Sequence, residues 1–324
     1  MISVNQRAAS IVVQMIQECE ALDINVKRLK NGATVLDAGI EVPGSLEAGR
    51  LFSCACLGGL AQVGFSDKSY HLRDSGGDSG FWLPTVEVSV SSPHIACMAS
   101  QYAGWAVKQD QFFAMGSGPA RALFADEEIF RKLEYKDQFD TAVLMLEGRR
   151  MPDESLAAFI AEKCGVKPDH VCLLIAPTAS LVGSIQIAAR SAETGMHKLA
   201  ELGFDVRKVK AASGVCPLAP VAADDLHAIG RTNDAILYGS QAFFAVTAED
   251  EELASLIDRV PSAGSRDYGT PFHELFRRYN GDFYRIDPML FSPARVAINN
   301  LNSGRTFRSG SINPALLRNS LLEN

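Results

Sequence analysis

Val171-Cys172-Leu173-Leu174-Ile175-Ala176-Pro177-Thr178-Ala179-Ser180 is the stretch on which the fold turns: six apolar residues followed by a small polar turn. An apolar run of that length reads as a buried strand. The residues behind it, from Leu181 to Lys198, continue as a helix, so the segment runs strand, turn, helix. That helix carries Arg190 and Glu193 three positions apart, a spacing that puts both side chains on one face. A carboxylate held beside a guanidinium stays ionised and aimed, which is what activating a water requires. The same spacing also describes an ordinary surface ion pair.

Working outward, the chain alternates. Ala8, Ile11, Val12, Met15, Ile16 and Cys19 recur at helical spacing and predict an amphipathic helix over 4–23. A strand is expected over 33–40, another over 85–90, where Val86, Val88 and Val90 alternate with Glu87 and Ser89, and another over 142–146. Pro152 and Asp153 open a helix running to about 163. Past the central helix, 213–220 (Ser213-Gly214-Val215-Cys216-Pro217-Leu218-Ala219-Pro220) reads as a rigid loop. A helix over 272–279, a strand over 294–300 and a turn leading to a short strand near 307 complete the chain. Strand and helix in alternation give the class α/β (α+β). A chain of 324 residues exceeds the size at which single cores stop growing, so two lobes are expected, divided roughly into 1–175 and 176–324, with a cleft available between them.

Composition narrows the function classes. With 47% hydrophobic and 21% charged residues, and no run apolar enough to cross a bilayer, the chain reads as a globular protein that neither spans a membrane nor stays disordered. The first residues show no secretory signal, and seven cysteines in a chain of this size suggest reduced thiols, so a cytoplasmic location is expected. A formal net charge of −7 argues against nucleic-acid binding and would not repel a cationic small substrate. Cys54 and Cys56 read as small buried residues, the six histidines are scattered, and no metal site is argued.

Several polar and glycine-rich blocks remain. The stretch 73–80, densest in Gly, Ser and Asp, is read as a turn, since it lacks the downstream Glu of a calcium loop. Gly116-Ser117-Gly118-Pro119-Ala120-Arg121 departs from a dinucleotide fingerprint at the third glycine position, where Arg121 stands. It is either a plain tight turn or a turn whose exposed N–H groups and following helix suit an anion or a polar ring edge. Gly230-Arg231-Thr232-Asn233-Asp234-Ala235-Ile236-Leu237-Tyr238-Gly239 is polar at its start and apolar after it, and Ser265-Arg266-Asp267-Tyr268-Gly269 is a second polar loop. Buried amides and carboxylates need partners, and a ligand's heteroatoms are one solution.

These blocks, with Ala176-Pro177-Thr178-Ala179-Ser180-Leu181 and Asn280-Gly281-Asp282-Phe283-Tyr284, resemble the methenyltetrahydromethanopterin cyclohydrolase family nearly end to end. The resemblance implies two α/β lobes with mixed sheets and flanking helices, a pterin pocket between them, and a homotrimer. It implies reversible hydrolysis of the methenyl bridge of the tetrahydromethanopterin carrier to the 5-formyl form. Arg190 and Glu193 would be the catalytic Arg-x-x-Glu pair. The substrate would be bound by Ser100, Gln101 and Trp105, by Gly116, Ser117, Gly118 and Arg121, by Thr178 and Ser180, by Thr232, Asn233 and Asp234, and by Arg266, Asp267 and Tyr268. No cofactor and no metal are implied, the pterin carrier being the substrate. A formyltransferase on the same carrier and a non-catalytic pterin-binding protein are the alternatives. Residues 76–80 look like an insertion, and Cys216 stands where an Ala-like residue is expected.

Overall fold

The computed structural model describes residues 2–66, 83–109, 112–282 and 285–322; the expected turn at 73–80 lies outside the described residues. The strands are β1 (Asn25–Arg28), β2 (Thr34–Asp37), β3 (Ala61–Ser66), β4 (Thr85–Val90), β5 (Trp105–Gln109), β6 (Phe112–Ser117), β7 (Ala142–Glu147), β8 (Val171–Ala176), β9 (Val209–Pro217), β10 (Gln241–Val246), β11 (Arg295–Asn300) and β12 (Thr306–Gly310). They build two six-stranded mixed sheets, ordered β1-β2-β8-β7-β6-β5 and β12-β11-β10-β9-β4-β3. Two compact units result, Met1–Gln62 with His94–Gln186, and Val63–Pro93 with Ile187–Asn324. The chain therefore changes unit at 62/63, 93/94 and 186/187.

In the first unit β8 lies between two parallel neighbours, β2 (Leu36 opposite Leu174) and β7 (Leu144 opposite Leu173). Both faces of this sheet are covered, which explains why 171–176 shows no alternation. On one face Val35, Leu144, Leu146, Leu173 and Ile175 pack with Leu156, Ala157, Ile160 and Ala161 of the helix Glu154–Cys164. On the other, Leu36, Val143, Met145 and Leu174 pack with Ala8, Val12 and Met15 of the helix Val4–Gln17 and with Leu51, Phe52 and Ala55 of the helix Leu46–Cys56. The opening helix is shorter than the periodicity suggests, ending at Gln17. Ser3 caps it, its hydroxyl accepting the Gln6 N–H at 3.1 Å. Cys54 and Cys56 are buried in a helix, in keeping with a packing role.

In the second unit, β9 corrects the rigid loop expected at 213–220. The strand continues to Pro217 and pairs antiparallel with β4 (Val88 opposite Gly214, Thr85 opposite Pro217) and with β10 (Phe244 opposite Ala212). Proline is tolerated because it stands at the last strand position, where a missing N–H costs the ladder least. The helix Ser191–Glu201 lies on β9 and β10 with unusually close approach. A Cβ on Gly214 would fall 2.3 Å from Ser191 Oγ, and one on Gly195 would fall 2.6 Å from Phe244 Cζ. The block 230–239 is helical, running from Asp225–Asp234 into a π-helical turn, Ala235–Gly239, whose apolar residues are buried. No helix of the described residues is long and apolar enough to cross a membrane.

Candidate active site

Arg190 stands at the N-cap of the helix Ser191–Glu201 and Glu193 in its first turn. Their contact, Arg190 Nη1 to Glu193 Oε2, is 3.5 Å, with only 11% and 5% of the two side chains exposed. Burial separates this from the weak surface pair that spacing alone allows. The first turn also favours an anion, because the unpaired N–H groups there carry the positive end of the helix dipole. The seat of this helix on glycine fixes where both groups stand. Deeper on it, Lys198 is fully buried and donates to the Met289 carbonyl; burial pushes its pKa down to about 8, while Asp287 acts in the other direction.

Also in the second unit, the two polar blocks meet. Tyr238 OH donates to the Thr270 carbonyl at 2.8 Å and accepts the Gly269 N–H at 3.2 Å, and its ring lies 5.2 Å from that of Tyr268. Most polar groups here are closed on the protein itself. Asp234 accepts the Phe272 N–H at 2.9 Å and the Ser320 hydroxyl at 2.6 Å. Asp267 accepts Tyr279 OH at 3.0 Å and the Asp287 N–H at 2.9 Å. Thr232 and Asn233 bond back to the Ala228 and Ile229 carbonyls of their own helix. The Arg266 side chain is exposed.

In the first unit Gly116 and Ser117 are strand residues of β6; the turn is confined to Gly118, at φ 101°, and Pro119. The helix after it, Ala120–Phe124, is a single short turn. Arg121 has a fully buried side chain directed inward. Its guanidinium pairs with both Glu127 oxygens (2.9 and 2.6 Å) and donates to the carbonyls of Met98 (3.1 Å) and Ser100 (3.0 Å). The Gly118 N–H reaches the same Ser100 carbonyl at 2.8 Å, and Ser100 Oγ donates to the Cys56 carbonyl at 2.7 Å. Arg121 thus clamps the C-terminal end of the π-helix His94–Gln101 and sets the Ser100-Gln101 turn. Trp105 is buried on β5 with its ring 4.9 Å from Phe124. Thr178 donates to Glu147 Oε1 at 2.5 Å, while Ser180 accepts the Gly183 N–H at 2.9 Å and starts the helix Leu181–Ala188.

Glu147, Gln186, Glu127 and Lys198, which the structure places in these bonding networks, were not singled out in the sequence. Two of them carry a visible signal. Gln186 interrupts an apolar helix, and Glu147 closes an apolar strand directly before Gly148.

A two-unit α/β protein with a buried guanidinium–carboxylate pair at the head of a sheet-seated helix is the class that fold and site define. The chain belongs to the cyclohydrolase (MCH) family, whose profile matches residues 3–321. It is 47% identical over 324 residues to the methenyltetrahydromethanopterin cyclohydrolase of Methanocaldococcus jannaschii, covering 99% of this chain and 98% of that one. It is 45% identical over 323 residues to the enzyme of the same name from Methanothermobacter marburgensis, covering 99% of each.

Proposed function

We propose that this chain is a methenyltetrahydromethanopterin cyclohydrolase, adding water to the methenyl bridge and opening the ring to the 5-formyl carrier, reversibly. The buried Arg190–Glu193 pair carries this reading, supported by relatives that match nearly the whole chain. The methenyl carbon lies between two nitrogens in a cationic amidinium, already electrophilic enough to need no Lewis acid. What the protein must supply is a placed water and a base. In this reading Glu193 takes a proton from the water as its oxygen bonds to the methenyl carbon, giving a neutral carbinolamine. The carbinol oxygen then loses its proton, the bond from carbon to the second nitrogen breaks, and that nitrogen gains a proton. One proton is released overall. Arg190 orients the Glu193 carboxylate. The enzyme is proposed to act as a homotrimer in the cytoplasm, with the carrier as substrate and no cofactor.

The test is loss of the methenyl chromophore on adding purified protein alone, with formyl carrier as the product. A chromophore that decays only with an added amine acceptor would point to a formyltransferase, and one that shifts without decaying to a binding protein.

A further inference from the structure

We infer that Glu147, held by Thr178 and Gln186, is the recognition point for the 2-amino-4-oxo edge of the pterin ring, accepting its N3–H and 2-amino hydrogens as a pair. The inference rests on the pterin reading above and adds a binding residue to it. Along β7, Val143 and Met145 face the core shared with the helix Leu46–Cys56. Glu147 continues their alternation at the strand's carboxyl end, beside the end of parallel β8, where Glu147 pairs with Ala176. Ligands of α/β sheets sit outside the carboxyl ends of parallel strands.

Thr178 Oγ1 donates to Oε1 at 2.5 Å and Gln186 Nε2 to Oε2 at 3.1 Å, so each oxygen is fixed by one donor. Both donors are neutral, and among the described residues these two are its hydrogen-bond partners. The carboxylate is half-buried and oriented by these two neutral donors. A carboxylate offers about four lone-pair sites, so two remain for a ligand. A half-buried anion without a cation is costly unless something else pairs with it. The pterin edge presents two parallel N–H donors, the geometry that bidentate carboxylate recognition uses. Other carboxylates of the candidate blocks are committed: both oxygens of Asp234 and of Asp267 accept bonds within the protein, and Glu193 pairs with Arg190.

The experiment compares wild type, Glu147→Gln and Thr178→Val in full-length protein, with circular dichroism to establish folding. On the methenyl carrier, Glu147→Gln should raise KM roughly 10- to 100-fold, the range expected when a charge-assisted bond is lost, with kcat within about threefold. Binding of 6-methyltetrahydropterin and of its 2-desamino analogue is then measured by fluorescence. Wild type should prefer the 2-amino compound about tenfold or more, and Glu147→Gln should not distinguish the two. Thr178→Val keeps the carboxylate but frees one oxygen, and should show a smaller shift in the same direction; it carries the test if Glu147→Gln does not fold. An unchanged KM, a retained 2-amino preference, or a fall in kcat at constant KM would overturn the assignment, the last placing Glu147 in the support of the helix ahead of Arg190. If wild type does not consume the methenyl carrier yet binds tetrahydropterin with the 2-amino preference, the cyclohydrolase reading falls and this one stands.

Discussion

Replacing Gly214 with alanine tests whether the seat of one helix governs catalysis. The backbone of Gly214 does not have positive φ, so alanine is compatible with its conformation and the effect is steric. The added Cβ would lie 2.3 Å from Ser191 Oγ, 2.9 Å from Ser191 Cβ and 2.8 Å from the Ala192 nitrogen. The hydroxyl can rotate away; the Cβ and the backbone nitrogen cannot. Reaching ordinary contact at 3.4 Å requires the first turn of the helix Ser191–Glu201 to lift by about 0.6 Å. If the hydroxyl stays in place, the lift is about 1.1 Å. Arg190 and Glu193 flank the displaced residues and must move with them. A misplacement of about 1 Å can cost on the order of a hundredfold in rate, so kcat should fall about 10- to 100-fold. Overpacking of this kind costs about 1–3 kcal/mol of stability. Ser191→Gly in the same chain removes two of the three clashes and should recover part of the loss, more than additivity allows. Decay of the methenyl chromophore under saturating carrier, read beside a thermal melt, measures both quantities. A Gly214→Ala protein with kcat within twofold of wild type would refute the argument that close seating on β9 positions the pair.

Glu193→Gln preserves shape and removes basicity, so kcat should drop roughly a hundred- to ten-thousand-fold while the methenyl carrier still binds; near-normal turnover would place the base elsewhere. Arg121→Met leaves Glu127 and the Met98 carbonyl without the guanidinium that bonds them, while the Ser100 carbonyl keeps the Gly118 N–H, and should destabilise by about 3–5 kcal/mol as a broken buried pair, read by denaturant titration; Glu127→Gln should lose less, because the guanidinium keeps its two carbonyls. Burial raises the Asp234 pKa from 3.8 to about 7, so the folded protein holds this proton more tightly than the unfolded chain. Its contribution is fully present below pH 3.8 and is lost as pH rises through about 7. Asp234→Asn, which can keep both hydrogen bonds, should flatten stability across that window; an unchanged pH slope in chemical denaturation would contradict the assignment.

The α/β class and most strands were legible because burial leaves a periodic trace. Where both faces of a sheet are covered, as at β8, the trace is an unbroken apolar run, and at β4 it is alternation. The second half of β9 was not legible. Gly214, Cys216 and Pro217 carry the composition of a turn, and only pairing with β4 and β10, remote in sequence, makes a strand of them. At the candidate site the Arg190–Glu193 contact was readable from spacing, although the single helix expected over 181–198 breaks at 189–190 and leaves Arg190 as N-cap rather than within a helix; the burial of the pair was not legible, since that depends on what covers the helix. The polar blocks share one feature that the sequence does not show. Their residue types suggested ligand contacts, yet Thr232, Asn233, Asp234, Asp267 and Arg121 direct their side chains to protein partners. A sequence gives residue types and intervals, and cannot distinguish a carboxylate that closes a helix junction from one that meets a ligand.

The burial of the Arg190–Glu193 pair bears on whether it serves the fold or the chemistry. Removing both charges from water costs several kcal/mol per ion, and a contact of 3.5 Å is too long to return that cost by hydrogen bonding alone. A hydrophobic pair of similar volume would serve the packing of this helix as well or better. The position of Glu193 in the first helical turn recovers a fraction through the dipole, about 0.3–1 kcal/mol for an exposed group and up to ~2 kcal/mol when partly buried. Buried ionisable pairs held in place by the surrounding structure are characteristic of working sites. The close seat supplied by Gly214 and Gly195 fixes the geometry: packing of the helix against β9 and β10 keeps the pair in position. Stability and activity are thereby assigned to different residues of one helix, which is why Glu193→Gln is expected to lose rate without losing the fold.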